Sequence, residues 1–492
     1  MSVAIVILAL IAACTGGTPA PSGTGTPASA PASVAATEVA SEAASASAPE
    51  PSSLAASASA SEETSGAASD DASGPPTELR DPTEAALEAA GGEAIGGSVS
   101  VMGVLGGEEL TDFETVFAPF EEATGITVDY ESSRDLQAVL QTRVDGGNPP
   151  DVVITPTIGQ MFAFADEGKL VDLNEVLDAA TIEQNYDEGL VAIGSRDDQM
   201  FGLFNTVNLG NLIWYNPKTY TGPTEPETWE ELQAWTTETA AGGTTPWCIG
   251  LASGAASGWP GAEFITAVLL RQAGPDFHDQ WWQGEVAWTS TEVRQAFETY
   301  GEIATDPKMV YGGPSAVLAT AFENGADAIF TDPPTCFLHE QATFMGGIIL
   351  ENYPDLKPID DINFFGMPNF TAEHDNLQQI SGEIVSMFND TPQSQALVRY
   401  LATPEAGSLI AATGRWLAPN KGVPAESYTD PFIQRASEIL AGAGRVSYLG
   451  SDLLPQAVGE GFWKATLDYV QDPGSLDAVL AELERLRGES YP

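Results

Sequence analysis

The sequence predicts an α/β fold with a largely parallel sheet, arranged as two lobes. Strand and helix patterns alternate from residue 97 onward, which is typical of parallel sheets flanked by helices. The chain has 492 residues. The roughly 395 residues that follow its N-terminal segment exceed what one compact core usually contains. Alternation and length together therefore favour two α/β lobes.

The alternation begins with a strand, a helix and a second strand. Residues 97–103 are predicted to form a strand that ends in a glycine-rich turn, and residues 126–130 a second strand. Between them, apolar side chains recur at the spacing of one helical face, and Gly125 follows as a C-terminal glycine. The face consists of Leu110, Phe113, Val116, Phe117 and Phe120.

The next elements repeat this order. A helix is predicted for residues 134–144, and a turn with a third strand for residues 147–155. A second run of elements opens with a strand at residues 211–216. Thr228 is predicted to cap the helix that follows, with Glu231 completing a capping box. The pattern therefore restarts after about residue 208, as expected for a second lobe.

Three loops mark the edge where a ligand would bind. In open α/β sheets, ligands occupy the crevice beyond the carboxyl ends of the strands. The loops in that position are residues 104–108, 131–134 and 155–160.

The N-terminus has the pattern of an exported lipoprotein. Its apolar run is roughly eleven residues, shorter than the twenty or so that span a bilayer but suited to an export signal. Residues 11–14 resemble the bacterial lipobox, which implies a signal peptide at residues 1–13 and lipidation of Cys14. The chain would then sit on the outer face of the cell membrane. No Lys or Arg precedes the apolar run, which departs from the usual signal pattern.

Residues 14–96 are predicted to be a disordered tether. They are nearly all Ala, Ser, Pro, Thr, Gly and Glu. A segment with so few large apolar side chains cannot bury enough surface to offset the entropy lost on ordering.

Composition excludes several classes of function. Lys and Arg total 18 against 70 Asp and Glu, a formal charge of −52. Nucleic-acid binding requires a basic surface and is therefore excluded, and an anionic ligand is disfavoured. The three histidines, His278, His339 and His374, show no metal-binding spacing, so we expect no cofactor or metal. Cys248 and Cys336 remain once Cys14 is assigned to lipid, and either a disulfide or two buried thiols would account for them.

Four segments resemble, in the same order, motifs of extracellular solute-binding protein family 1, the maltose-binding-protein-like components of carbohydrate ABC importers. They are FAPFEEATGITV (117–128), GNPPDV (147–152), PETWEEL (226–232) and YLATPEA (400–406). The resemblance implies a type II periplasmic-binding-protein-like fold, with two α/β lobes joined by a hinge and a ligand cleft between them.

The same resemblance implies lobe boundaries. The N-terminal lobe would comprise residues 97–205 and 367–415, and the C-terminal lobe residues 206–366 and 416–492. The chain would cross between lobes near residues 204–209, 365–368 and 416–419.

Five further segments resemble the α-glucoside-binding branch of this family. They are TPWCIG (245–250), SGWP (257–260), DPPTC (332–336), GEIVSMF (382–388) and SDLLPQAVG (451–459). In that branch both cysteines lie in the second lobe, which supports pairing Cys248 with Cys336. The ligand would be an α-glucoside or another di- or oligosaccharide.

The resemblance implies a binding function without catalysis. A monomer would capture a neutral sugar by hinge closure and deliver it to the permease subunits of an ABC importer. A secreted carbohydrate-active enzyme is an alternative, although no local motif singles out the carboxylate pair that a glycosidase needs. A sugar sensor of the same fold is another alternative.

Candidate ligand-binding residues follow from the chemistry of sugars. Hydroxyl groups need polar partners, and pyranose faces need flat aromatic surfaces. The candidates are Glu108, Ser133, Thr155, Gln160, Asn205, Trp259, Asp332, Gly382, Glu383, Arg415, Asp452 and Trp463. Structural roles compete with ligand contact at several of them: core packing at Trp463, a hinge ion pair at Arg415, turn capping at Asp332 and helix capping at Glu108.

Overall fold

A computed structural model describes residues 79–374 and 376–491, all of which belong to one compact unit. The predicted signal peptide, the lipidation of Cys14 and the tether as far as residue 78 lie outside the described residues. Within the described part, no helix is both long enough and apolar enough to cross a bilayer.

Strands and helices alternate along the described residues. The strands are β1 (Gly97–Gly103), β2 (Ile126–Ser132), β3 (Val152–Thr155), β4 (Ser195–Arg196), β5 (Gln199–Met200), β6 (Leu203–Phe204), β7 (Asn208–Leu209), β8 (Leu212–Tyr215), β9 (His339–Gln341), β10 (Asn363–Gly366), β11 (Leu377–Ser381), β12 (Ile384–Met387) and β13 (Arg445–Tyr448). The helices are α1 (Pro82–Ala89), α2 (Glu108–Thr124), α3 (Leu136–Asp145), α4 (Ile158–Asp166), α5 (Ala179–Asn185), α6 (Glu188–Ile193), α7 (Trp229–Ala241), α8 (Trp259–Ala273), α9 (Pro275–Trp282), α10 (Thr291–Ala304), α11 (Gly313–Ala319), α12 (Met345–Asn352), α13 (Pro392–Leu401), α14 (Pro404–Ala412), α15 (Pro431–Ala441), α16 (Gly450–Leu453), α17 (Gln456–Gln471) and α18 (Leu476–Ser490).

The first lobe is built on a mixed sheet of five strands in the order β2-β1-β3-β12-β6. β1 pairs in parallel with β2 and β3, as the sequence predicts. β12 pairs antiparallel with β3 and β6. The chain therefore leaves this sheet after β6 and returns to it with β12.

The second lobe contains an antiparallel sheet in the order β10-β8-β9, whose strand direction was not predicted. Strand direction depends on how the helical connections cross the sheet, and local periodicity carries no information about that path. A third sheet, β13-β11-β7, contains one strand, β7, from the first predicted crossing region.

The predicted crossing segments lie side by side. Val207 and Leu417 exchange two backbone hydrogen bonds of 2.8 Å each. The N–H of Met367 donates to the carbonyl of Asn211 at 2.8 Å. Backbone pairing therefore joins the crossings into one narrow region between the lobes. The lobe boundaries stay a prediction.

Local predictions in the first lobe are confirmed by burial. Phe113, Val116, Phe117 and Phe120 of α2 are buried in the first-lobe core. Gly125 ends the helix with φ +67°, the left-handed conformation expected of a C-terminal glycine.

The predicted cap of α7 is also present. The Oγ1 of Thr228 accepts a 3.3 Å hydrogen bond from the N–H of Glu231. The Glu231 carboxylate accepts from the N–H of Glu227 at 3.2 Å, one residue before the position that a capping box requires.

The structure corrects the C-terminal end of the predicted tether. Residues 82–89 form helix α1, whose N-cap Asp81 accepts a 2.9 Å hydrogen bond from the N–H of Thr83. Ala85 and Ala86 are buried beside α2 and α13. The prediction of disorder is wrong for this helix because small alanine side chains allow close helix packing, which a count of large apolar residues does not detect.

A disulfide joins Cys248 and Cys336, whose Cα atoms are 5.8 Å apart. The predicted pairing is confirmed. Both residues are buried, and the bond connects positions 88 residues apart in the second lobe.

Candidate functional site

A cavity lies between the two lobes. It contains about 930 Å³ of space not filled by protein atoms, part of it open to solvent. All three predicted strand-end loops contribute to its wall, through Leu105, Arg134 and Thr157.

The opposite wall combines aromatic and acidic side chains of the second lobe. Trp259 and Glu263 come from the first turns of α8, Asp452 from α16 and Trp463 from α17. Trp259 packs edge-on against Phe322, with ring centroids 5.2 Å apart. This wall therefore offers both flat apolar surfaces and hydrogen-bonding groups, which pyranose rings require.

The local sequence explains how Trp259 is placed. Gly258 has φ +102°, and a Cβ at that position would lie 2.3 Å from the carbonyl oxygen of Trp463. Glycine therefore allows α8 to start against α17. Pro260 then follows at a first-turn position of the helix, where its missing N–H has no consequence.

Gly382 and Glu383 connect β11 to β12 beside the first crossing. A Cβ on Gly382 would lie 2.1 Å from the carbonyl oxygen of Thr206, so only glycine allows this approach. The N–H of Glu383 donates to the Oγ1 of Thr206 at 3.1 Å, and the Thr206 hydroxyl donates to the Glu383 carboxylate. The crossing thus orients an acidic side chain toward the cavity.

The acids of the cavity differ in their partners. The Glu109 carboxylate accepts a 2.6 Å hydrogen bond from the guanidinium of Arg134. Glu383 is hydrogen-bonded to Thr206, as described above. Among the described residues, the carboxyl groups of Glu263 and Asp452 have neither a hydrogen bond nor an ion pair.

Burial shifts these acids toward their neutral forms. Desolvation raises the pKa of Glu383 to about 7, against the opposing hydrogen bond from Thr206. Burial, reinforced by Glu263 and Glu383, raises the pKa of Asp452 well above its ordinary value. Burial and the neighbouring Glu340 do the same for the pKa of Glu263. A neutral carboxyl both donates and accepts, so these groups suit sugar hydroxyls.

The structure brings some of the predicted site residues to the cavity and leaves others outside it. Those in the wall are Trp259, Gly382, Glu383, Asp452 and Trp463. Gln160 lines a small adjoining pocket, where its amide donates to the carbonyl of Gln137 at 2.9 Å. Those outside the wall are Glu108, Ser133, Thr155, Asn205, Asp332 and Arg415. Ligand contact by the candidates stays a prediction.

The residues outside the wall have visible structural surroundings. Arg415 forms an ion pair with Asp112 and lies 3.9 Å from Glu108, the hinge ion pair that the sequence left open. The hydroxyls of Thr155 and Thr157 are hydrogen-bonded at 2.8 Å. Asp332 lies exposed in its loop.

Other wall residues were not among the candidates. They include Glu109, Gln137, Asn208, Ser253 and Glu263. Glu263 follows Trp259 by four residues, which places both on one face of α8. That spacing is a signal that sequence reasoning could have used.

Comparison with known proteins identifies a matching family and similar individual proteins. Residues 107–408 match the family described as bacterial extracellular solute-binding protein. The osmoprotective compounds-binding protein GgtB of Synechocystis sp. is 35% identical over 392 residues, which cover 79% of this chain and 91% of that protein. The alpha-glucosides-binding periplasmic protein AglE of Rhizobium meliloti is 31% identical over 402 residues, which cover 79% and 87%.

Solved structures share the fold at lower identity. A chitin oligosaccharide binding protein aligns with a TM-score of 0.68 and 19% identity, over 80% of this chain and 98% of that one. The maltose/maltodextrin-binding domain MalE from Bdellovibrio bacteriovorus, bound to maltotriose, aligns with a TM-score of 0.60 and 16% identity, over 80% and 99%. The two-lobe type II α/β architecture is thus shared with these proteins. With the family match over most of the folded residues, the chain belongs to the bacterial extracellular solute-binding protein family.

Proposed function

We propose that this protein is the extracytoplasmic substrate-binding component of a carbohydrate ABC importer. It captures a neutral sugar between its lobes and delivers it to the permease subunits. The observation that carries the proposal is the interlobe cavity, whose walls combine tryptophan faces with hydrogen-bonding carboxyls. The relationship to an alpha-glucosides-binding protein favours an α-glucoside or another di- or oligosaccharide as ligand.

Capture works by hinge closure. The lobes are residues 97–205 with 367–415, and residues 206–366 with 416–492. A ligand that contacts both lobes stabilises the closed state in proportion to its extra contacts there. Two contacts already join the rims of the cavity: the Asp135 carboxylate accepts from the N–H of Ala255 at 2.7 Å, and Arg134 lies 3.9 Å from Glu323.

Different cavity residues recognise different parts of the sugar. Trp259 and Trp463 present ring faces to the apolar faces of the sugar. Glu383 and Asp452 hydrogen-bond hydroxyl groups from one side. Arg134, held by Glu109, donates from the first lobe. A ligand bound this way keeps its glycosidic bond, since no step of the cycle requires its cleavage.

Localisation follows from the N-terminal pattern. Lipidation of Cys14 anchors the chain to the outer face of the cell membrane, and the Ala/Ser/Pro-rich tether lets the folded part, a monomer, reach both ligand and permease.

A thermal-shift panel tests the proposal. The protein is heated with maltose, trehalose, sucrose, raffinose, glucose and glycerol, each at several concentrations. At 100 times its Kd, a ligand stabilises the folded state by about 2.7 kcal/mol, which raises the melting temperature measurably. We expect at least one di- or trisaccharide to do so. A flat panel would overturn the proposal. Chromatography of the mixture distinguishes the enzyme alternative, which would yield monosaccharides.

A further inference from the structure

Glu263 is a buried acid that faces the cavity and is free of protein partners. It lies on α8 one helical turn after Trp259, and both side chains line the cavity wall. Only 3% of Glu263 is exposed. Its carboxyl has no hydrogen bond and no ion pair with any described residue. Buried acids without partners are rare because they destabilise a fold.

The surroundings of Glu263 do not compensate for its burial. The groups that interact electrostatically with Glu263 are the acids Glu340 on β9 and Asp452 on α16, together with the Tyr448 hydroxyl, and none of them is a cation. Arg271 lies two turns farther along α8, but its donors go to the Asn211 side chain and to backbone carbonyls. The position is therefore electrostatically unfavourable in the absence of a ligand.

We propose that Glu263 is a ligand-binding residue that hydrogen-bonds a hydroxyl of the sugar ring stacked on Trp259, and that it thereby determines which sugar the cavity accepts. The inference rests on the proposed function and deepens it. Trp259 tolerates any pyranose face, since stacking is insensitive to the orientation of individual hydroxyls. The buried Glu263 carboxyl, one turn deeper, discriminates between sugars. A sugar whose hydroxyl points elsewhere leaves this carboxyl without a hydrogen-bond partner.

The test is Glu263→Leu, which fills a similar volume without polar atoms. Sugar affinity is measured by isothermal titration with the best ligand of the thermal-shift panel, chosen from maltose, trehalose and sucrose. We expect the Kd to rise at least tenfold while the melting temperature without sugar stays the same or rises. Glu263→Gln keeps a donor and an acceptor and should bind within about threefold of the natural protein.

Glu405→Leu is the matched control. Glu405 lies on α14, away from the cavity, and is also 3% exposed. Its carboxylate forms an ion pair with Arg80 at 3.0 Å. This variant should lower the melting temperature and leave the Kd unchanged. The opposite signatures separate a binding residue from a structural one.

The outcomes distinguish the two proposals. If the natural protein binds a sugar and Glu263→Leu binds it equally well, this inference is overturned while the proposed function stands. If Glu263→Leu instead loses melting temperature as Glu405→Leu does, Glu263 is structural and the inference again fails. If the natural protein binds none of the sugars, both proposals fail. Should the Leu variant not accumulate, Glu263→Ala replaces it, with the same expected rise in Kd.

Discussion

Two buried ionisable side chains on the same helix have opposite surroundings. Arg271 is 1% exposed and donates hydrogen bonds to the Asn211 side chain at 2.9 Å and to the carbonyls of Met367 and Leu377 at 3.3 Å. Glu263, two turns earlier, is 3% exposed and donates to or accepts from no described residue. Burial alone therefore does not distinguish a structural side chain from one that binds a ligand. The presence or absence of hydrogen-bonding partners within the protein does distinguish them.

The Arg271 cluster stabilises the region where the chain passes between lobes. Asn211 follows the first predicted crossing segment, Met367 lies within the second and Leu377 follows it, and the Arg271 guanidinium binds all three. Burial lowers the pKa of Arg271 to about 10, partly offset by Glu340, so the guanidinium stays charged at neutral pH. The guanidinium thus holds the crossing segments against α8 and takes no part in the cavity wall.

Removing Arg271 should have the largest effect of the changes considered. Arg271→Met leaves the Asn211 side chain and three backbone carbonyls without their charged donor, which costs about 3–5 kcal/mol of unfolding free energy. Urea denaturation measures it. The control is Arg445→Met, whose exposed pairs with Asp276 and Asp279 are worth about 1 kcal/mol or less. Equal losses in the two variants would contradict the structural role of Arg271.

The comparison also shows what sequence could and could not predict. The sequence was sufficient to predict the buried face of α2, the three strand-end loops and the partner of Cys248. These features depend on short-range periodicity or on a family motif. The antiparallel direction of the second sheet was not predicted, because direction is set by the path of long connections.

One site residue was missed by a single position. Glu109 lines the cavity where Glu108 was predicted to do so. One residue rotates a side chain by about 100° around a helix and by about 180° along a strand, so the element can be right while the residue is wrong. Glu263 carried no motif of its own, and only its distance of four residues from Trp259 indicated it.

Glu383 should make stability depend on pH. Its carboxyl has a pKa raised from 4.5 to about 7 by burial, so the folded state binds more protons than the unfolded state between these values. Unfolding free energy therefore falls as pH rises through this range. Glu383→Gln removes this pH-dependent loss of unfolding free energy, which amounts to about 3 kcal/mol at pH 8 and to nothing below pH 4. Denaturation at both pH values checks it, with pH 4 as internal control. Parallel curves for the two proteins would contradict it.

Removing an aromatic face should weaken sugar binding with little effect on folding. For Trp463→Ala we expect the Kd to rise at least tenfold, about 1.4 kcal/mol, because the half-buried ring lines the cavity. Trp282→Ala is the control, since that half-buried ring lies on α9 and contributes nothing to the wall. Tryptophan-quenching titrations measure both. Equal affinities in the two variants would place the sugar elsewhere.

The smallest effect should come from Asp332. This side chain is exposed and outside the cavity wall. Asp332→Asn should change the Kd by less than about twofold and stability by no more than about 0.5 kcal/mol. Calorimetric titration with the same sugar measures the first value. A tenfold loss of affinity would mean that its loop reaches the ligand in the bound state.

Equilibrium dialysis of the protein against radiolabelled maltose, trehalose and sucrose, with chromatography of both compartments, tests the central claim most directly. We expect an excess of one of these sugars on the protein side, saturating at about one molecule per chain, and recovery of that sugar with its glycosidic bond intact. Equal sugar in both compartments for all three, or the appearance of monosaccharides, would contradict an account in which two lobes bind a saccharide and release it unchanged.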